Sequence, residues 1–397
     1  MRWLIVEDAL QDRKGHWYEY VRTFREGLLK LGDNVTILAS QNAERFILNE
    51  LDAKPVLPES IWHSLALQKS AWKRYLMIPK HAFKTLFSVR SQISEGSCYD
   101  IIFVPTVSVH HLLGWILLIK LRLIKNHTRL LLYFLSLPIK SSYNDQIHWS
   151  ASPTSKLMKW LFLSLRKESA SGQVILGVET IALKNAMESL LDMPFIYLPQ
   201  PVELICAKES TKNNAPLFAC YGAARHEKGS NLLQSAIALY LKRNPHTKVN
   251  FSIQWIDDFK DDHENHIIKL PSLLQDQRVE YITEYFKGNE YAERLSQTKI
   301  LLLPYRTSSY KLRGSRVVIE AMINGIPVVT TEGTTLAKQA EHYGSAILCK
   351  DGDVESLVNA IHQMEQNYLK LINLAESRKL SARDHFSVKE FRRMLLS

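Results

Sequence analysis

Two stretches place cations beside glycine loops and helix starts. Tyr221–Leu233 reads YGAARHEKGSNLL. An apolar run ends at Tyr221, Gly222 opens a loop, Arg225 and Lys228 follow, and Gly229 and Ser230 begin a helical period. Two cations beside a helix N-terminus suit a diphosphate, because free N–H groups and the helix dipole both favour negative charge. Lys311–Thr331 reads KLRGSRVVIEAMINGIPVVTT. Here Gly314 and Ser315 precede a helix that carries Glu320, and Gly325–Ile326–Pro327 turns the chain into a strand. Glycine lets backbone N–H groups approach an anion, and a carboxylate near such a loop can accept hydrogen bonds from a pair of ribose hydroxyls. Each stretch alone also describes an ordinary loop–helix unit with solvated charges.

The elements around them alternate between short apolar runs and helical period, which argues for parallel sheets with crossover helices. Strands are expected at Arg2–Val6, Asn34–Leu38, Asp100–Pro105, Leu130–Leu135 and Val174–Val178. They resume at Leu217–Tyr221, Lys248–Gln254, Val279–Ile282, Ile300–Pro304, Val328–Thr330 and Ala346–Cys349. Tyr18–Leu31 is spaced as a helix, with Gly32 at its end. The pattern predicts an α/β chain of two Rossmann-like, doubly wound domains facing a cleft. The expected domains are 1–202 and 203–381, divided near the polar stretch 208–214, with a C-terminal helix over 382–397 packing back on the first.

With 397 residues, 46% hydrophobic and 23% charged, the chain has the composition of a globular protein. Cys98, Cys206, Cys220 and Cys349 show no paired spacing, which favours a reducing, cytoplasmic setting over a disulfide or zinc framework. MRWLIVEDA reaches its acidic residues too early for a secretory leader and reads as a first strand. The net charge of +10 is uneven: residues 51–150 hold 12 Lys and Arg against 5 Asp and Glu, whereas 251–300 hold 6 against 10. The basic, apolar region 64–125 could rest on an anionic membrane, or form a solvated basic face. No nucleic-acid motif accompanies it. Ile101–Ile119 has no charged residue, but Pro105, His110 and His111 favour a buried strand followed by an apolar helix over a membrane span. The helical part could alternatively lie on a membrane surface.

In order and spacing, Gly-x-x-Arg-x-x-Lys-Gly followed roughly ninety residues later by Glu-Ala-Met-x-x-Gly-x-Pro-Val-Val resembles the retaining glycosyltransferases of the GT-B fold, family 4. Leu302–Tyr305 and Asp351–Ala360 extend the resemblance through the C-terminal half, with Asp353 placed to cap a helix. The N-terminal half matches loosely, through Lys14–Leu29, Gly32 and Val35–Leu38. The resemblance implies a nucleotide-sugar donor and a glycan, lipid-linked or polysaccharide acceptor, with neither metal nor cofactor. It implies that Arg225 and Lys228 neutralise the donor diphosphate, that Glu320 binds the ribose, and that Gly314 and Ser315 give backbone donors. It likewise implies that Gly15 lets the first loop approach the diphosphate, and that His16 and His110 (or its neighbour His111) attend the sugar or acceptor. Leu312 stands where many relatives carry a second glutamate, and Ala223 where they carry an arginine. Two other readings stay open. One is a nucleotide-sugar epimerase using Glu7, Asp8 or Asp12 as acid and base. The other is a catalytically silent binding subunit.

Overall fold

The computed structural model describes residues 1–13, 17–68, 70–94, 98–141, 146–204, 216–287 and 289–397. Gly15, His16, Cys206 and the polar stretch 208–214 lie outside the described residues. The chain divides into two units, Met1–Pro201 with Ser387–Ser397, and Val202–Phe386.

The first unit is built on seven parallel strands: β1 (Arg2–Glu7), β2 (Asn34–Ser40), β3 (Ala53–Leu57), β4 (Ile101–Val104), β5 (Arg129–Phe134), β6 (Val174–Val178) and β7 (Ile196–Tyr197). They lie in the order β3-β2-β1-β4-β5-β6-β7. Helices cover both faces of such a sheet, so its strands read as continuous apolar runs, as β4 and β6 do. Strand β3 has no such signature: Lys54 and Pro55 interrupt it, which an edge strand tolerates because one side of its ladder is unused. Helices α1 (Trp17–Lys30), α2 (Ala71–Ser94) and α3 (Val109–Lys120) belong to this unit. The uncharged stretch 101–119 is β4 followed by α3, and α3 is buried through Leu112, Trp115, Leu118 and Ile119. That burial removes α3 from any membrane surface. No helix among the described residues is long and apolar enough to cross a membrane.

The second unit repeats the architecture with six parallel strands: β8 (Leu217–Cys220), β9 (Asn250–Gln254), β10 (Val279–Ile282), β11 (Thr298–Leu303), β12 (Val328–Thr331) and β13 (Ala346–Cys349). Their order is β10-β9-β8-β11-β12-β13. In both units the first strand has the second on one side and the fourth on the other. The order therefore reverses at the first strand, and the carboxyl ends of the first and fourth strands flank the switch point. Helix α4 (Ser230–Arg243) follows β8, and α5 (Arg316–Asn324) lies between β11 and β12. Asp353 caps its helix as expected, accepting from Ser356 N at 2.9 Å.

The segment expected as one helix over 382–397 is two. Helix α6 (Tyr368–His385) stays with the second unit, and Ser387 caps a new helix, α7 (Val388–Leu396), in the first. Phe391 of α7 meets the Phe24 ring edge-on at 4.7 Å, and Arg392 Nε donates to the buried Asp33 at 2.6 Å. Contiguity in sequence gave no sign of this break at Phe386.

Candidate functional site

At the switch point of the second unit, the loop after β8 and the loop after β11 bring three cations together. Gly222 adopts φ +93°, and a Cβ there would sit 2.5 Å from Lys228 Nζ, so the ammonium lies directly over this glycine. Gln254 at the end of β9 fixes the loop, its Oε1 accepting from Gly222 N at 2.6 Å. Ser230 Oγ fixes the next turn by accepting from Arg225 N at 3.0 Å. Arg225 and Arg313 approach the same Glu227 carboxylate at 3.5 Å and 3.9 Å. Among the described residues no carboxylate lies within ion-pair distance of Lys228, although burial holds its pKa below the ordinary lysine value, with the Arg225 and Arg313 charges acting in the same direction. One carboxylate among three cations leaves the site short of negative charge, which a bound anion would supply.

Two helix starts add to this. Gly229 and Ser315, the residues preceding α4 and α5, make no side-chain cap bond to their helices. First-turn N–H groups have no intrahelical partner, and Ser230 N at the start of α4 is met by the Arg225 carbonyl at 3.3 Å. The loop before α5 is tied to its neighbour by Thr335, whose hydroxyl bonds the carbonyls of Tyr310 (3.1 Å) and Arg313. Glu320 is buried rather than solvated, because Arg316 Nε donates to one carboxylate oxygen at 2.8 Å and the Tyr291 hydroxyl donates to the other. Each oxygen retains a lone pair for a further donor.

A second cluster occupies the switch point of the first unit. Asp8 Oδ1 accepts from His111 Nε2 at 3.0 Å, His81 Nε2 lies 3.4 Å from Asp8 Oδ2, and Ile61 N donates to the same oxygen at 3.0 Å. The ligand atoms of Asp8, His81 and His111 fall within 4.8 Å of one another, a spacing that a divalent cation would accept. However, His111 Nδ1 accepts from Ser108 N at 3.1 Å, which assigns the proton to Nε2 and directs it at Asp8. The hydrogen bonds thus describe an imidazole N–H donating to the Asp8 carboxylate. Burial lowers the pKa of His111, but Asp8 more than offsets this and holds it raised; burial and the nearby His111 charge bring His81 and His110 down to about 4. Burial, with Asp8 adding to it, pushes Glu7 up to about 8, while Thr106 and Ala9 N donate to it.

That raised value has a consequence for stability. Between the ordinary 4.5 and about 8, the folded protein holds a Glu7 proton that the unfolded chain has released. Stability contributed by protonated Glu7 is therefore full below the lower value and declines as pH rises through that window. Glu7→Gln keeps an uncharged side chain able to bond both partners. Its melting temperature, followed from pH 5 to pH 9, is expected to fall less steeply than that of the native protein and to exceed it at pH 9. Parallel curves for the two proteins would place the titration elsewhere.

Of the residues singled out in the sequence, the second unit brings together Arg225, Lys228, Gly314 and Ser315 around the switch-point loops, with Glu320 one helical turn into α5. His110 is buried on α3, with Ser108 Oγ 3.5 Å from its Nδ1, and it is its neighbour His111 that reaches Asp8. Arg313, Gln254, Tyr291 and His81 escaped sequence reasoning. Arg313 alone had a local signal, as a cation one residue before Gly314.

Residues 202–383 match the family model for glycosyl transferases group 1. No curated protein matches the sequence. Solved structures align along its whole length. A glycosyltransferase from Rickettsia africae is 12% identical with a TM-score of 0.64, covering 100% of this chain and 96% of its own. HepE from Anabaena, in complex with UDP and glucose, is 14% identical with a TM-score of 0.65, covering 100% and 98%. Sucrose-phosphate synthase from Thermosynechococcus elongatus is 16% identical with a TM-score of 0.63, covering 100% and 96%. At these identities the likeness carries the fold, which is the two-domain GT-B fold.

Proposed function

We propose that this chain, whose residues 202–383 match the family model for glycosyl transferases group 1, moves a sugar from a nucleotide-diphosphate donor to a glycan, lipid-linked or polysaccharide acceptor, with retention at the anomeric carbon. The gathering of Arg225, Lys228 and Arg313 around a single carboxylate at a switch point carries the reading. Departure of the nucleoside diphosphate creates negative charge on its terminal phosphate. Cations and N–H groups already in position stabilise that charge without reorganising as it forms. Glu320, oriented by Arg316 and Tyr291, would receive the ribose hydroxyls on its remaining lone pairs. Transfer of this kind needs no resident metal, since protein cations take that role.

The epimerase alternative needs carboxylates able to trade protons with a sugar. Glu7 and Asp8, two of its three candidates beside the half-buried Asp12, are 2% and 6% exposed and both are hydrogen-bonded within the fold, which favours the transferase. Thermal stabilisation by UDP, GDP, ADP and their sugars tests the donor reading. UDP goes first, since it is bound in the Anabaena structure. A ligand at a hundred times its Kd adds about 2.7 kcal/mol, a shift of several degrees in the native protein that Arg225→Ala and Glu320→Ala should reduce or abolish. No shift from any nucleotide at millimolar concentration would leave the silent-subunit reading in its place. The anomeric configuration of the product, read by NMR, decides retention.

A further inference from the structure

Helix α2 buries one face through Ile78, Ala82, Leu86, Val89 and Ile93. Beside that face it leaves a second apolar stripe bare: Trp72 is 61% exposed, Leu76 59%, Phe83 53% and Phe87 64%, with Tyr75 at 41%. At 3.6 residues per turn these five side chains fall within an arc of roughly 120°. Lys73, Lys80 and Lys84 follow along the outer edge of the stripe, and Lys73 Nζ lies 5.8 Å from the Trp72 ring centroid. The 24 residues of α2 include no Asp or Glu.

Large aromatic side chains kept in water along several helical turns mark an interaction surface. Its charge selects the partner. A second copy of the chain would set lysine edge against lysine edge, whereas an anionic bilayer offers acyl chains to the stripe and phosphates to the lysines. Five cations on the helix rule out a span and suit a helix lying in the plane of the headgroups. We propose that α2 docks the protein on anionic phospholipid, with Trp72, Leu76, Phe83 and Phe87 entering the acyl boundary and Lys73, Lys80 and Lys84 at phosphate level. The proposal stands apart from the donor reading, so either can fail alone.

Flotation of the full chain with vesicles tests it, comparing pure phosphatidylcholine with an equal mixture of phosphatidylcholine and phosphatidylglycerol. Binding to the anionic vesicles is expected to exceed that to neutral ones by at least about tenfold and to weaken with salt. Trp72→Ser, Phe83→Ser and Phe87→Ser combined should lower it by about tenfold or more with the melting temperature maintained. Should that variant fail to fold, Lys73→Gln, Lys80→Gln and Lys84→Gln combined alters only exposed cations and should abolish the anionic preference. Absence of the native protein from anionic vesicles, equal binding by the lysine variant, or a vesicle-free dimer that the serine variant dissolves would each overturn the proposal.

Discussion

Replacing Lys228 with methionine is expected to slow sugar transfer at saturating donor by about two to three orders of magnitude, while the melting temperature holds or rises. The two halves of this expectation have one cause. Lys228 Nζ is folded over Gly222, with no carboxylate within ion-pair distance among the described residues, and burial depresses its pKa. A desolvated ammonium costs folding free energy, and an apolar chain of similar length in its place removes that cost. The same poverty of counter-charge makes the ammonium effective toward a ligand anion, since Glu227 acts on it only from beyond ion-pair distance. Arg225, 57% exposed and already beside Glu227, should matter less to rate and more to donor affinity. The check is a pair of measurements: initial rate of nucleoside diphosphate release at saturating sugar donor, and melting temperature without ligand. A methionine variant that melts several degrees lower, or turns over within threefold of the native protein, would show that Lys228 supports the fold and not the reaction.

Much of this architecture is legible in the chain, for reasons that differ from element to element. Strands β6, β10 and β13 coincide with the expected segments end to end: β6, covered on both faces, is apolar throughout, whereas β10 and β13 are edge strands delimited by the polar and turn residues on either side. The loops after β8 and β11 are legible because, in each, glycine and cation positions lie within one contiguous stretch. Strand β3 was missed, since at an edge nothing demands an apolar run and Pro55 argues against a strand. The Tyr291–Glu320 and Arg313–Glu227 pairs join different loops and helices, and no local spacing encodes them. His81 illustrates the limit most clearly. On α2 it occupies a position that helical period marks as inward-facing, and only the fold brings it beside Asp8 and His111. In region 64–125, sequence reported that basic and apolar residues occur together. The packing then separated a buried apolar helix, α3, from an exposed one, α2.

Gly229→Ala should lower the melting temperature of the second unit by on the order of 10 °C, and should weaken any nucleotide-induced stabilisation still measurable in the variant. Gly229 adopts φ +65° between the turn that carries Lys228 and the first residue of α4. An alanine there meets the left-handed penalty of roughly 1–2 kcal/mol. It also meets a wall, since its Cβ would lie 2.0 Å from the Pro304 carbonyl oxygen and 3.1 Å from the carbonyl carbon. Both atoms are backbone at the exit of β11, so no rotamer change relieves the overlap, and displacing packed structure adds about 1–3 kcal/mol. The displacement falls on the two loops that flank the switch point, so it moves Lys228 relative to Ser315 as well as loosening the fold. Gly333 is the internal control. It has φ +76°, but a Cβ there would find only Thr307 Cγ2 at 3.8 Å, an ordinary contact. Gly333→Ala therefore meets the conformational penalty alone, and the difference between the two alanine variants isolates the close approach at Pro304. If both variants melt within a degree or two of each other, the loops around the switch point are less tightly joined than this geometry requires.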